Sequence, residues 1–124
     1  MNRSKIHVLC VLNPVAGGGL ALRRWPRIAD AMQGCGITWQ LLADRDPPAG
    51  QQVAERLQRD DAGQFAAVVG IGGDGTHSSV LNAMMRLKES GCRAPLPPYA
   101  LVPLGTGNDI AKSFNIKARE AFFA

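Results

Sequence analysis

Three glycine-rich segments, each directly after a hydrophobic run, constrain the fold of this chain more than any other feature. The runs and the segments that follow them lie at residues 6–12 and 13–19, 65–69 and 70–75, and 99–102 and 103–109. Continuous apolar runs of this length, rich in β-branched residues, are typical of strands that helices cover on both faces. The chain is therefore predicted to contain buried strands that each end in a glycine-rich turn.

Amphipathic segments alternate with these strands. Trp25, Ile28 and Met32 recur at helical spacing, and Gly34 and Gly36 end that segment. Pro26 either kinks this helix or begins its longer part. Another strand is predicted over 37–43, helices over 51–60 and from about 76 to 88, and a last helical turn after residue 109. This order predicts an α/β fold, a Rossmann-like three-layer domain with a mainly parallel sheet.

Composition narrows the class of protein. A chain of 124 residues suffices for one ordinary domain, and 46% hydrophobic with 19% charged residues is typical of folded globular proteins. No apolar run approaches the roughly 18–20 residues that span a bilayer, and the amino-terminal apolar stretch is too short for a signal peptide. We expect a cytoplasmic protein.

Charge and cysteine content exclude further classes. The net charge of +4 favours anionic partners such as phosphates or an acidic membrane surface. Basic residues interleaved with aromatics, which are typical of nucleic-acid binding, are not found, so no nucleic-acid partner is expected. Cys10, Cys35 and Cys92 are odd in number and far apart, which indicates free thiols and neither a disulfide framework nor a zinc site.

The three glycine-rich turns are expected to meet. In an open parallel sheet, ligands bind beyond the carboxyl ends of the strands, and all three turns follow strand ends. Backbone N–H groups without side chains, next to a helix N-terminus, bind phosphate groups. A single turn of this kind indicates only a tight connection, but three at one edge predict a site for an anionic ligand.

The type of phosphate site follows from the second turn. Gly70, Gly72 and Gly75 satisfy the dinucleotide pattern G-x-G-x-x-G, but no acidic residue follows the next strand, and Asp74 inside the turn would repel a bare pyrophosphate. A carboxylate there fits a site where a divalent cation mediates, or where it deprotonates an attacking hydroxyl. The Walker pattern is absent because Ala111 precedes Lys112. We predict a phosphate site of another type that uses Mg²⁺.

Three segments then carry a family resemblance: Asn-Pro-Val-Ala-Gly at 13–17, Gly-Gly-Asp-Gly-Thr at 72–76 and Pro-Leu-Gly-Thr-Gly-Asn-Asp at 103–109. In order and spacing they resemble the signatures of the diacylglycerol kinase catalytic-domain family, which includes bacterial lipid kinases, sphingosine kinases and ceramide kinases. That family is similar in fold to NAD kinases and phosphofructokinases. The resemblance implies a transferase that moves the γ-phosphoryl group of ATP to the hydroxyl of a lipid such as diacylglycerol, in phospholipid metabolism.

The resemblance also implies roles for individual residues. Asp74 is implied as the catalytic carboxylate, near Mg²⁺ through phosphates or water, and Asn108 with Asp109 would hold the third turn or reach the metal region through water. The residues implied in nucleotide binding are Asn13, Pro14, Val15, Ala16, Gly17, Asp44, Gly72, Gly73, Asp74, Gly75, Thr76, Gly105, Thr106, Gly107 and Asn108.

The chain departs from the family pattern in three ways. Ser79 stands where the family commonly has a glutamate, and Asp44 stands where it often has a threonine that touches the nucleotide. Family kinases also continue into a second, β-rich domain that closes over the lipid. We therefore expect residues 1–124 to be the nucleotide-binding domain of a longer lipid kinase, inactive by itself and peripheral at the inner membrane surface.

Alternatives remain open. An NAD kinase-like phosphotransferase, with Asp74 as general base on a ribose hydroxyl, is one, and a stand-alone nucleotide-binding module without catalysis is another. The acceptor lipid and a homodimer are left open. His77 is expected to be a partly exposed polar residue, and Trp25 and Trp39 are expected to pack in the core and not on adenine.

Overall fold

The protein forms alternating strands and helices around a single sheet. A computed structural model describes residues 6–59, 64–91 and 95–104. The elements in chain order are β1 (Ile6–Leu12), α1 (Ala16–Gly34), β2 (Ile37–Ala43), α2 (Ala49–Arg59), β3 (Ala67–Gly72), α3 (Asp74–Glu89) and β4 (Tyr99–Pro103). The predicted α/β class is confirmed, and the two first strands have the predicted bounds.

The sheet is parallel throughout and has the strand order β2-β1-β3-β4. Leu12 pairs with both Ala43 and Ile71, and Gly72 pairs with Pro103, so the carboxyl ends of all four strands lie at one edge. The order reverses direction at β1, because β2 lies on one side of it and β3 and β4 on the other. In α/β sheets such a reversal opens a crevice beyond the strand ends, here between β1 and β3.

Side chains that alternate along the strands build a core on each face of the sheet, as the two-residue period of a strand requires. Leu9 and Val11 of β1 face a cluster with the apolar sides of α2 and α3, while Val8, Cys10 and Leu12 face a cluster with α1. Burial on both faces explains why β1 has a continuous apolar sequence. The predicted packing role of the two tryptophans is confirmed, since Trp25 and Trp39 meet edge to face with ring centroids 5.8 Å apart against the α1 cluster.

The boundary between β3 and α3 differs from the prediction. The strand was expected to end at Val69 and the helix to begin near Thr76, but the strand continues to Gly72 and the helix begins at Asp74. Gly70 is within the strand, where it pairs with Val11 and Leu101, and the hydroxyl of Tyr99 occupies the space that a side chain at position 70 would need. The glycine-rich segment is thus mostly strand, and Gly73 alone connects it to α3.

The start of α1 also differs from the expectation based on Pro26. That proline lies within the helix, and the irregular backbone is at Gly17, Gly18 and Gly19, with φ of +63°, +67° and +91°. These values lie in the left-handed region that glycine alone enters readily. The three glycines therefore form a left-handed turn before the regular part of the helix. Within the described ranges, no helix is both long and apolar enough to cross a membrane.

Candidate functional site

The turns after β1 and β3 lie against each other at the carboxyl edge of the sheet. The N–H of Asn13 donates to the carbonyl of Ile71 at 3.0 Å. A Cβ built on Gly72 would lie 3.2 Å from Cβ of Asn13, so the two segments are in close approach. The first and second predicted motifs therefore border one crevice.

The third motif reaches the same place through its first described residues. The N–H of Leu104 donates to the carbonyl of Gly72 at 2.8 Å. The carbonyl of Leu104 in turn occupies the space that a side chain at Gly17 would need. The predicted convergence of the three turns is thus confirmed as far as Leu104, while the predicted site residues Gly105, Thr106, Gly107 and Asn108 lie outside the described residues.

The first turn is held by local hydrogen bonds. The side chain of Asn13 accepts through Oδ1 from the N–H of Val15 at 3.1 Å, which forms an Asx turn. The backbone carbonyl of Asn13 accepts from the N–H of Ala16 at 3.1 Å. Pro14 sits at the centre of this turn, and Val15 is 74% exposed. Two bonds hold the glycines that follow: Arg23 donates to the carbonyl of Gly18 at 3.3 Å, and the N–H of Gly19 donates to the carbonyl of Val15 at 3.3 Å.

The second turn places a helix N-terminus at the crevice. Gly73 is the N-cap residue of α3, and no side chain caps the helix there. Asp74, Gly75 and Thr76 form the first turn, whose N–H groups have no acceptor within the helix. Such a terminus carries partial positive charge and attracts anions, and the carboxylate of Asp74 is itself stabilised in that position.

Asp44 joins the end of β2 to both following helices. Its N–H donates to the carbonyl of Leu12 at 2.8 Å, which places it beside the first turn. Its carboxylate accepts from the hydroxyl of Thr76 at 2.7 Å and from the N–H of Ala49 at 2.9 Å. Asp44 therefore lies at the predicted site, where it holds Thr76 and the start of α2 in place.

Ser79 does not face the crevice. Its hydroxyl accepts from the N–H of Gly50 at 2.9 Å, and the Ser79 carbonyl occupies the space that a side chain at Gly50 would need. The residue at the position of the family glutamate therefore joins α3 to the N-terminus of α2. A groove of about 580 Å³ between these two helices adjoins Ser79 on the side of Asn82 and Arg86.

His77 contradicts the expectation of a partly exposed residue, since only 1% of it is accessible to solvent. Its Nε2 lies 3.0 Å from the carbonyl of Gly72, and its Nδ1 lies 2.6 Å from the hydroxyl of Tyr99. Burial lowers the pKa of His77 below its ordinary value, although nearby backbone carbonyls and Asp74 act in the opposite direction. Sequence reasoning missed this pair because the partners are 22 residues apart, and only the helical spacing of His77 with Val80 and Met84 hinted at an inward position.

The residues present fit a weakly ligated magnesium ion better than a closed metal centre. Within the described residues, no group of three or more His, Cys, Asp or Glu side chains could hold a metal. Mg²⁺ is commonly bound through one or two carboxylates together with substrate phosphates and water. Asp74, half-buried at the helix start, is a donor of that kind.

The family model for the diacylglycerol kinase catalytic domain matches residues 7–122. The chain belongs to this family. Its members are kinases, and the predicted resemblance in the three motifs is confirmed by a match that extends over nearly the whole chain.

Individual relatives agree with this family. The chain is 33% identical over 75 residues to diacylglycerol kinase 4 of Arabidopsis thaliana, which covers 60% of this chain and 13% of that protein. It is 38% identical over 80 residues to a protein of Xanthomonas euvesicatoria pv. vesicatoria named "Probable lipid kinase YegS-like", covering 64% of this chain and 22% of the other. The alignments therefore span less than a quarter of each of these relatives.

A crystal structure of a diacylglycerol kinase from Bacillus anthracis str. Sterne has a similar fold. It superposes on 98% of this chain with a TM-score of 0.66 and 24% sequence identity. The superposition covers 38% of that chain. The likeness confirms the fold of this member of the diacylglycerol kinase catalytic-domain family.

Proposed function

We propose that this chain is the ATP-binding half of a lipid kinase, which transfers the γ-phosphoryl group of ATP to the hydroxyl of a diacylglycerol-like lipid. Family membership supports a kinase. In this transfer the acceptor oxygen forms a bond to the γ-phosphorus and its proton passes to water, while the bond to the β–γ bridging oxygen breaks and ADP leaves with that electron pair. Such chemistry depends mainly on positioning and on neutralising phosphate charge.

One observation carries the proposal: Gly75 is a glycine that the described structure does not require. It lies in the first turn of α3 outside the left-handed region, and a side chain there would meet no described atom within 4 Å. Glycine in a helix costs roughly 0.5–1 kcal/mol relative to alanine. Glycine at this exposed helix start is therefore explained best by a ligand that approaches the backbone.

The surrounding groups suit a triphosphate. The N–H groups of Gly75 and Thr76 are at the start of α3, and the left-handed turn of Gly17 to Gly19 begins where Gly17 meets the Leu104 carbonyl. Asp74 would hold Mg²⁺ through phosphate or water, and the bound ion would supply neutralisation of phosphate charge. In this proposal Asp44 acts indirectly, by holding Thr76 in place.

The site is tested by the variant Gly75→Ala. We expect its free energy of unfolding to rise by about 0.5 kcal/mol because alanine is the better helix residue. Affinity for ATP with Mg²⁺, measured by titration calorimetry, should fall at least about tenfold because the new methyl group blocks the phosphates. Gly34→Ala, which is also helical and also has open space around it, is the control away from the crevice, and unchanged ATP affinity in Gly75→Ala would contradict the proposal.

A second titration tests the role of Asp74. ATP binding to the wild-type chain should strengthen when Mg²⁺ is added, and Asp74→Asn should remove most of that dependence. A parallel titration with NAD examines the NAD kinase-like alternative. Tighter binding of NAD than of ATP would favour that alternative over a lipid kinase.

The acceptor and the membrane belong to the same proposal. We propose that residues 1–124 form the nucleotide-binding domain and that a second domain is needed for lipid turnover, since the superposed kinase extends well beyond the matched part. The purified chain should bind ATP weakly and leave diacylglycerol in mixed micelles unphosphorylated. Detectable radiolabelled phosphatidic acid from this chain alone would overturn that expectation.

Peripheral membrane association is supported by one face of α1. Arg24 and Arg27 are three residues apart, so they lie on the same side of the helix, and both side chains are exposed. A basic helix face suits an anionic lipid surface. Co-sedimentation with vesicles that contain acidic phospholipid, but not with neutral vesicles, is the expected result, and it should weaken in the variant Arg24→Ala/Arg27→Ala.

A further inference from the structure

We propose that His77 and Tyr99 are positioning residues that fix the carbonyl of Gly72, and with it the turn that presents the N-terminus of α3. The inference rests on the proposed function only for its effect on nucleotide affinity. The effect of the two residues on the turn itself does not depend on what the chain binds. Neither residue belongs to the three motifs.

The pair is built into the interior. His77 is 99% buried on α3, and Tyr99 lies on β4, so their contact crosses from helix to sheet. The Tyr99 hydroxyl fits only because position 70 is a glycine, since a Cβ there would collide with it and lie 3.0 Å from Nδ1 of His77. Gly70, His77 and Tyr99 therefore form one arrangement, which we call the histidine–tyrosine pair; His77 is fully buried in it and Tyr99 is half-buried.

Hydrogen-bond chemistry assigns the proton positions. A carbonyl can only accept, so the 3.0 Å contact with Gly72 requires that Nε2 of His77 carries the hydrogen. In the neutral ring Nδ1 is then an acceptor, and the Tyr99 hydroxyl donates to it at 2.6 Å. Burial raises the pKa of Tyr99 above its ordinary value, with the Asp44 carboxylate acting in the same direction, so the hydroxyl keeps its proton.

The Gly72 carbonyl is the point where the pair acts on the site. It accepts both from His77 and from the N–H of Leu104 at 2.8 Å, at the start of the third motif. Gly73 and Asp74 follow directly. Because two donors from different elements hold one carbonyl, its peptide group cannot rotate without breaking both bonds. The orientation of the next N–H groups, which face the crevice, is thereby restricted.

Three variants of the full chain test the inference. Tyr99→Phe removes only the hydroxyl, and His77→Leu removes both polar contacts at similar volume. His77→Gln keeps an N–H donor for Gly72 and an oxygen acceptor for Tyr99. His7→Gln is the matched control, since His7 bonds to Thr38 at the opposite end of the sheet.

The first readout needs no ligand. Nitrogen-15 NMR should show His77 as the neutral tautomer with hydrogen on Nε2. Amide exchange at Leu104, whose N–H donates to the Gly72 carbonyl, should be about tenfold faster in Tyr99→Phe and faster again in His77→Leu, with recovery in His77→Gln and no change in His7→Gln. Hydrogen on Nδ1, or unchanged exchange in both disruptive variants, would overturn the inference whatever the chain binds.

The second readout is nucleotide affinity. Tyr99→Phe should weaken binding of ATP with Mg²⁺ about fivefold at a temperature where it is fully folded, and His77→Gln should retain most of the wild-type affinity. Wild-type affinity in folded Tyr99→Phe and His77→Leu would contradict the positioning role. A wild-type chain that binds no ATP would defeat the proposed function, and the exchange measurement would still decide the role of the pair.

Discussion

The turns after β1 and β3 are both rich in glycine and border the same crevice, yet they are built differently. The first contains three consecutive glycines in the left-handed region and an exposed Val15. The second consists of Gly73 alone. The strand before it ends in a carbonyl that accepts two hydrogen bonds, and in the helix after it Thr76 and His77 are buried. Similar composition therefore conceals two uses of glycine: backbone angles in the first turn, and close approach at Gly70 and Gly72 in the strand before the second.

This difference separates two physical roles of glycine. In the first turn, a side chain is disfavoured by the positive φ itself. In the second, φ at Gly73 is an ordinary extended value, and long-range contacts from Asp44, Tyr99 and Leu104 hold the segment. Substitutions in the two turns should consequently differ in size and in what they disturb.

The largest effect is expected at Gly17. The variant Gly17→Ala should lower the free energy of unfolding by about 3 kcal/mol, because it combines a positive φ with a collision against the Leu104 carbonyl, which is backbone and cannot move aside. Gly18→Ala has the same φ strain but open space, so about 1 kcal/mol is expected. Urea unfolding measures both. Equal losses in the two variants would show that the Leu104 contact contributes nothing.

The next effect is expected at Gly70, before the second turn. Gly70→Ala should cost about 2 kcal/mol, because the methyl group displaces the Tyr99 hydroxyl without any φ strain. In the double variant with Tyr99→Phe, the alanine should cost less, since the displaced hydroxyl is already absent. Urea unfolding of the cycle provides the comparison. If the stability losses of the two single variants add up to that of the double variant, Gly70 is not energetically coupled to Tyr99.

A smaller effect is expected for the bond between Thr76 and Asp44. Thr76→Val should cost about 1 kcal/mol because it removes the hydroxyl that donates to the carboxylate at 2.7 Å. Thr76→Ser keeps the hydroxyl and serves as the control. Thermal unfolding measures stability, and calorimetry measures ATP affinity, which should fall only in the valine variant. If neither stability nor ATP affinity falls in Thr76→Val, the bond from Thr76 to Asp44 does not stabilise the second turn.

The smallest effect is expected in the pH dependence of the free energy of unfolding, and it should arise from His77 next to the second turn. The pKa of His77 is lower in the folded chain than its ordinary value of 6.5, so the unfolded chain takes up a proton first as the pH falls. The contribution of His77 is therefore complete above about pH 6.5 and is lost toward lower pH. The groups around the ring do not reverse this lowering of the His77 pKa; they are Tyr99, Asp74 and the Val102 backbone. His77→Gln should flatten stability between pH 7 and 5.5, and an unchanged slope would contradict the assignment.

Much of the architecture was predictable from local patterns. The bounds of β1 and β2, the alternating order of elements and the two tryptophans in the core follow from apolar runs and helical spacing, which depend on neighbours in the chain. The convergence of the three turns was also predictable, because parallel strands end at one edge of the sheet, and it is confirmed as far as Leu104. The end of β3 at Gly72 was not predictable, because it depends on pairing with Pro103 of β4. The burial of His77 was not predictable, because its partner Tyr99 is remote in sequence.

The amino-acid sequence by itself determined that buried strands alternate with helices and that turns without side chains follow three of those strands. Its hydrophobic periodicity and its glycines act over a few residues, so their consequences can be read locally. Only the tertiary structure decided which glycine serves which purpose, and which polar side chains support the crevice. Both depend on the packing of strands and helices that are distant in sequence. A hydroxyl or imidazole group forms a buried hydrogen bond with a protein partner only when those segments exclude water around it.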